Sequence, residues 1–211
     1  MKYIAIFFAV IVLGVIVTGF AGCSSYNGIV ASSQAVDRQW AQVQNVYQRR
    51  ADLVPNLVAT VQGSANFEKS TLTDVIKARA AATSVNINST AAPTDPNQLE
   101  QFDKAQGELS RSLGRLLVSV ERYPDLKANQ NFLTLQAQLE GTENRISTER
   151  ERFNQVTQDY NTRVQTFPTM LVTRAFAFTP KPYFTATAAA QTVPQVNFNF
   201  GSSSGTPATA P

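Results

Sequence analysis

The sequence predicts an all-α protein, an antiparallel up-and-down four-helix bundle that follows an N-terminal membrane segment. Three observations carry that expectation. Apolar residues recur at spacings of three, four and seven through four long segments. Prolines and polar clusters separate those segments. Residues Tyr3 to Gly22 form an apolar run without a charge. Each amphipathic segment has one apolar stripe and a polar remainder, so none is stable alone, and packing four stripes together makes one core.

The apolar run comes first. It is preceded by Met1-Lys2, followed by Ser24-Ser25, and ends at Cys23, the only cysteine. Small residues Ala21 and Gly22 stand directly before the thiol. That pattern reads as a bacterial lipoprotein signal, with Cys23 as the lipidation site. Small residues fit the signal peptidase, and the sulfur takes a diacylglyceryl group. Phe20 departs from the leucine usual at its position. Two other readings stand beside it. Twenty apolar residues span about 30 Å as an uncleaved helix, and a simple secretory signal has a shorter apolar core of about 7–15 residues. All three share one orientation. Lys2 is the only basic side chain before Arg38, so the amino end stays cytoplasmic and the body is exported to the periplasmic or extracellular side. The expected organisation is a signal peptide or transmembrane anchor over 1–22, a helical body over 23–185 and an Ala/Thr/Pro/Gly/Ser tail over 186–211.

Within the body, Ile29, Val36, Trp40, Val43 and Tyr47 lie on one helical stripe. Leu53-Val54-Pro55 reads as the end of that helix and the start of a second, because proline is tolerated in a first turn. The second carries Leu57, Val58, Val61, Ala65, Leu72, Val75, Ile76 and Ala80, with Gly63 softening its middle. A polar connection from Asn86 to Asp95 follows, and Asp95-Pro96 is a strong start signal, an N-cap before a proline in the first turn. The third helix carries Leu99, Phe102, Ala105 or Gln106, Leu109, Leu113, Leu116, Leu117 and Val120, and stops at Tyr123-Pro124. The longest segment has the stripe Phe132, Leu135, Leu139, Thr142, Ile146, Phe153, Val156, Tyr160, Val164 and Phe167. From Pro168 the pattern degrades, and Phe176, Phe178, Tyr183 and Phe184 read as a cap on the bundle.

Composition prunes the functional classes. Without residues 1–22 the chain keeps 17 basic and 15 acidic side chains, spread along its length, which is no nucleic-acid footprint. There is no histidine, which excludes Ser-His-Asp and Cys-His catalysis and every histidine-ligated metal or haem site. A single cysteine excludes thiolate clusters. No phosphate-cradling glycine string occurs. Glu68, Glu108, Glu121 and Glu143 make a carboxylate metal site only on paper, since such sites recruit histidine. No catalytic centre, metal or cofactor is therefore expected.

The suggestive polar groups fall in two sets, Arg49, Arg50, Asp52 and Asn56 in one and Glu121, Tyr123, Asp125, Lys127 and Asn129 in the other. In an up-and-down bundle the two turns they mark lie at one end. The structural expectation is a locked corner, with Asp52 and Asn56 capping the second helix and Arg50 pairing with Asp125 or Glu121. The functional expectation is a partner-binding surface there. Glu140, Glu143, Arg145, Glu149, Arg150, Glu151 and Arg152 read as a solvated charged face. Asn154 and Asn161, seven apart beside stripe residues, read as register-fixing asparagines in preference to ligand binders.

Several strings resemble the LemA family. They are Tyr26-Asn27, Trp40, Arg49-Arg50-Ala51-Asp52-Leu53-Val54-Pro55-Asn56-Leu57-Val58, Glu68, Arg79-Ala80 and Glu121-Arg122-Tyr123-Pro124-Asp125-Leu126-Lys127-Ala128-Asn129. Leu135-Gln136, Leu139, Thr142-Glu143-Asn144-Arg145-Ile146, Phe153-Asn154, Tyr160-Asn161 and Phe167-Pro168 continue the match. The resemblance covers Tyr26 to Phe184 in order. It implies an up-and-down helical bundle carried on an amino-terminal membrane segment, and no known reaction. LemA proteins are described as membrane-associated with undefined molecular activity, and some relatives are linked to bacterial organelle membranes. The lipobox-like Cys23 and the long tail depart from the family pattern.

Three functional expectations follow. The first is a non-enzymatic, membrane-tethered interaction or scaffold protein of the bacterial envelope, with an unidentified envelope protein as partner. The second is a membrane-shaping or organelle-associated lipid-binding protein. The third is a histidine-free hydrolase or carboxylate-metal enzyme.

Overall fold

The computed structural model describes residues 2–63, 67–85 and 91–185, apart from some side chains between positions 2 and 21. The expected tail, Ala65 and part of the 86–95 connection lie outside the described residues. Six helices follow one another among the described residues: α1 (Lys2–Gln62), α2 (Lys69–Ser84), α3 (Pro96–Val120), α4 (Pro124–Lys127), α5 (Gln130–Gln165) and α6 (Thr169–Ala175). No strand occurs among them, so the all-α expectation stands. Among the described residues no helix is long and apolar enough to cross a membrane.

Pro55 does not end the first helix. The expected helix break is absent, and α1 runs through Pro55 as one helix of 61 residues, about 90 Å long. An interior proline has no N–H for the carbonyl four residues back and costs a helix about 3 kcal/mol. Here that carbonyl belongs to Ala51, which is buried, and Arg79 Nε of α2 donates to it at 2.7 Å. A side chain from a neighbouring helix supplies the donor that proline lacks. The chain leaves α1 at Gly63 instead.

Other boundaries follow local chemistry. Asp95 caps α3 by accepting from the Asn97 N–H at 2.9 Å, with Pro96 in the first turn. The short α4 fills the turn after Tyr123-Pro124. Asn129 then caps α5, accepting from the N–H groups of Asn131 and Phe132 at 2.9 and 3.2 Å. The Phe167-Pro168 bond is cis, and Phe167 is 76% exposed rather than the last member of the α5 stripe. Thr173 of α6 donates to the Val164 carbonyl and fastens α6 to the end of α5.

Partner contacts give the directions. Gln39 meets Glu149 while Arg50 meets Glu143, so α1 and α5 are antiparallel. Gln106 meets Ala82 while Arg122 meets Glu68, so α2 and α3 are antiparallel as well. The core they enclose has two parts. One is built on Val54, Leu57, Val61, Leu72, Val75, Leu109, Leu113, Leu116, Leu126, Phe132 and Leu139. The other is built on Ile29, Val36, Trp40, Val43, Tyr47, Leu99, Phe102, Ile146, Phe153, Tyr160 and Phe184. Trp40 centres the second, with ring centroids 5.4 Å from Phe102, 5.6 Å from Phe153 and 6.1 Å from Phe184. Ile76 and Ala80, expected on the α2 stripe, are exposed. Asn129→Ala should remove the α5 cap and cost about 1 kcal/mol, read as a lower urea midpoint with an unchanged denaturant slope.

Candidate functional site

The two parts of the core meet at a polar layer. On α1 it falls between Tyr47 and Val54, on α3 between Phe102 and Leu109, and on α5 between Leu139 and Ile146. Arg50 occupies it, 2% exposed. Its Nη1 donates to Ser110 Oγ at 2.6 Å and to Glu143 Oε2 at 3.0 Å. Its Nη2 donates to Gln106 Oε1 at 2.5 Å and to the Gln106 carbonyl at 3.2 Å. Gln106 passes the connection on, donating to the Ala82 carbonyl of α2 at 3.1 Å. The guanidinium lies 5.0 Å from the Tyr47 ring centroid. A planar fork with five donors suits this convergence, where a lysine would serve one partner at a time. Nε of Arg50 has no partner among the described residues, as is also true of Trp40 Nε1 and Thr157 Oγ1.

A second, half-buried cation sits beside the first. Arg150 of α5 donates to Asp103 at 2.6 Å and to the Tyr47 hydroxyl at 3.4 Å, and lies 4.4 Å from the Phe184 ring centroid. Burial works against its charge, but Tyr47 and Asp103 outweigh burial and hold its pKa above the ordinary arginine value. Burial pushes the Tyr47 hydroxyl above the usual tyrosine value of 10.0, against the pull of Arg150 and Arg50. Tyr47, Arg50, Gln106, Ser110, Glu143, Ser147 and Arg150 line a cleft of about 190 Å³.

The predicted corner is distributed differently. Arg50 reaches neither Glu121 nor Asp125; its carboxylate is Glu143. Asp52 and Asn56 cap nothing, because α1 continues through them. Asp52 accepts from Gln48 at 2.8 Å, the Asn56 carbonyl accepts from Thr60, and Arg49 is exposed. Glu121 and Lys127 pair across the α3–α5 junction, Asp125 is exposed in the first turn of α4, and Asn129 caps α5. Tyr123 meets Phe67 at 5.0 Å between ring centroids, and Arg122 meets Glu68 at 3.3 Å, so this junction faces the α1–α2 turn. The four glutamates of the paper metal site each face a different cation: Arg122, Arg111, Lys127 and Arg50. No group of three or more metal-ligating side chains occurs among the described residues.

The charged face on α5 is only partly solvated. Glu143, Glu149 and Arg150 turn toward α1 and α3. Asp37 and Lys181 form another pair that the periodicity left unread, 2.7 Å apart with Lys181 7% exposed. Asp37 also accepts from the Ala92 N–H. The available signals were Gln106 interrupting an apolar stripe and Asp37 next to Val36.

These features define an all-helical protein whose buried polar groups tie helices to one another. Residues 39–198 match the LemA family model, and the chain belongs to that family. It is similar to Protein LemA of Metamycoplasma hominis, 23% identical over 81% of this chain and 73% of that protein. It is also similar to Magnetosome protein MamQ 2 of Paramagnetospirillum magneticum, 24% identical over 75% of this chain. The chain spans 64% of that relative's length. Magnetosome protein MamQ of Magnetospirillum gryphiswaldense is 30% identical over 38% of this chain and 29% of its own.

The Arg50–Glu143 pair is asymmetric, since the Glu143 side chain is 52% exposed. Losing the glutamate strands a buried charge. Glu143→Leu should therefore destabilise the protein by about 3 kcal/mol, while Glu151→Leu, an exposed neighbour, should stay within about 0.5 kcal/mol in the same urea titration.

Proposed function

We propose that the protein is a membrane-tethered, non-enzymatic interaction or scaffold protein of the bacterial envelope, a four-helix bundle on an amino-terminal membrane segment. The observation that carries this reading is the start of α1. Tyr3, Ile4, Ile6, Phe7, Ile11, Val12, Leu13 and Ile16 are exposed apolar side chains, while buried side chains on α1 begin at Ile29 among those described. Exposed apolar side chains in such number fit a lipid environment better than water. Cys23 is exposed on the same helix, free to accept an acyl chain. Because α1 passes from that stretch into the core without a break, a tether there would hold the body rigidly. The charged groups of the polar layer, Arg50, Glu143, Arg150 and Asp103, all have structural partners, which favours binding over catalysis. Presentation of the α3–α5 junction (Glu121, Tyr123, Asp125, Lys127, Asn129) and the exposed Phe176 to a partner completes the reading.

The magnetosome name of the MamQ relatives favours a second reading, a membrane-shaping or organelle-associated protein whose helices lie on lipid. Two preparations separate the readings. The full chain should pellet with membranes and resist high salt, whereas a chain starting at Ser25 should float with no liposome. Flotation of the shortened chain would favour the lipid-binding body. Palmitate-analogue labelling of the full chain, lost in Cys23→Ala, tests the lipid anchor, and an unlabelled wild type would exclude it.

A further inference from the structure

Residues 178–185 belong to neither helix nor strand, yet they are held like a bound peptide. They run antiparallel to α5, since Asn161 meets Lys181 and Asn154 meets Phe184. Pro182, Tyr183, Phe184 and Thr185 also face Pro96, Leu99 and Asp103 of α3 across a cavity of about 200 Å³. The segment therefore lies between α3 and α5, in the half of the core that α2 does not reach. Phe178, Lys181 and Phe184 turn inward, while Thr179, Pro180, Tyr183 and Thr185 are exposed.

A period of three in a stretch containing Pro180 and Pro182 is that of polyproline II, which rises about 3.1 Å per residue. Three residues then cover about 9 Å, close to the roughly 10 Å that seven residues advance along a helix. Asn161 and Asn154, seven apart, exploit that match. Asn161 donates to the Lys181 carbonyl at 2.9 Å and accepts its N–H at 2.8 Å. Asn154 does the same for Phe184, at 2.8 and 2.9 Å. Main-chain contacts of this kind hold an extended ligand whatever its sequence, and side-chain pockets add selectivity. One pocket is Asp37, which takes the Lys181 ammonium at 2.7 Å with the Tyr160 ring 5.4 Å away. The other is formed by Trp40, Phe153 and Arg150 around the Phe184 ring.

We propose that this groove is a receptor for an extended Phe-x-x-Lys-x-x-Phe segment, and that its occupant in trans is residues 178–185 of a second copy. The groove fits this chain's own segment, which every copy carries. The turn that delivers the segment in cis is at Ala177, a non-glycine residue at φ 55°, a left-handed conformation that a side chain disfavours. Release of the segment relieves that turn, and exchange of an identical element is a low-cost route to a dimer. The inference does not depend on the membrane tether.

The test mixes two full-length variants in detergent under different tags. One carries Asn154→Ala and Asn161→Ala, a weakened groove with an intact segment. The other carries Lys181→Ala and Phe184→Ala, an intact groove with a weakened segment. The mixture should co-purify at least tenfold above either variant mixed with itself. A synthetic peptide of residues 178–185 should disperse the complex. The same peptide should shift the emission of Trp40, the only tryptophan, in the second variant. If the groove variant is unfolded by circular dichroism, wild type takes its place, since its segment finds the same empty groove. Absence of a complex, or a complex that the peptide leaves intact, would overturn the proposal and leave the segment a latch within one chain.

Discussion

The hydrogen bond from Arg79 to the Ala51 carbonyl lets α1 pass Pro55 without ending. Proline takes away the N–H that would close the helical turn there, and a buried carbonyl without a donor costs about 1–3 kcal/mol. Arg79 satisfies it from α2, so the same bond keeps α1 whole and docks α2 against it. Arg50, the residue before Ala51, does the corresponding work toward α3 and α5 through Gln106, Ser110 and Glu143. Two consecutive residues of α1 thereby connect it to every other long helix. The apolar clusters on either side fill in from that layer.

Much of the fold was legible because periodicity reports burial directly. Val36, Trp40 and Val43 are fully buried, as are Leu109, Leu116 and Phe153. Asp95-Pro96 starts a helix as its chemistry dictates. Pro55 misled because the donor that rescues the helix is not local: it comes from Arg79, 28 residues beyond the Ala51 carbonyl it satisfies. Arg50 misled for a related reason. Placing it at a turn followed from breaking α1, and the turn lies at Gly63 instead. Asn154 and Asn161 do sit beside the core stripe, but their partners are main-chain atoms of a segment that has no helical periodicity to read.

For the proposed tether the consequence is mechanical. An amino-terminal stretch with exposed apolar side chains continues, in one helix, into the wall of the core. A tether attached to such a rod would fix the orientation of the body as well as its position. Toward the end of the described residues, the segment from Phe178 to Thr185 closes the core with extended backbone rather than a helix. Its buried cations, Arg50 and Lys181, are paired with Glu143 and Asp37.

The direct measurement is a double-mutant cycle between Pro55→Ala and Arg79→Ala, followed by urea denaturation of the full chain in detergent. With Pro55 present, Arg79→Ala should cost about 1–3 kcal/mol, because the Ala51 carbonyl is left without a donor. With alanine at position 55, the backbone N–H returns to that carbonyl, and the loss should shrink by about 1 kcal/mol or more. Equal losses in the two backgrounds would contradict the account, since Arg79 would then be stabilising the protein without replacing the hydrogen bond that proline removes.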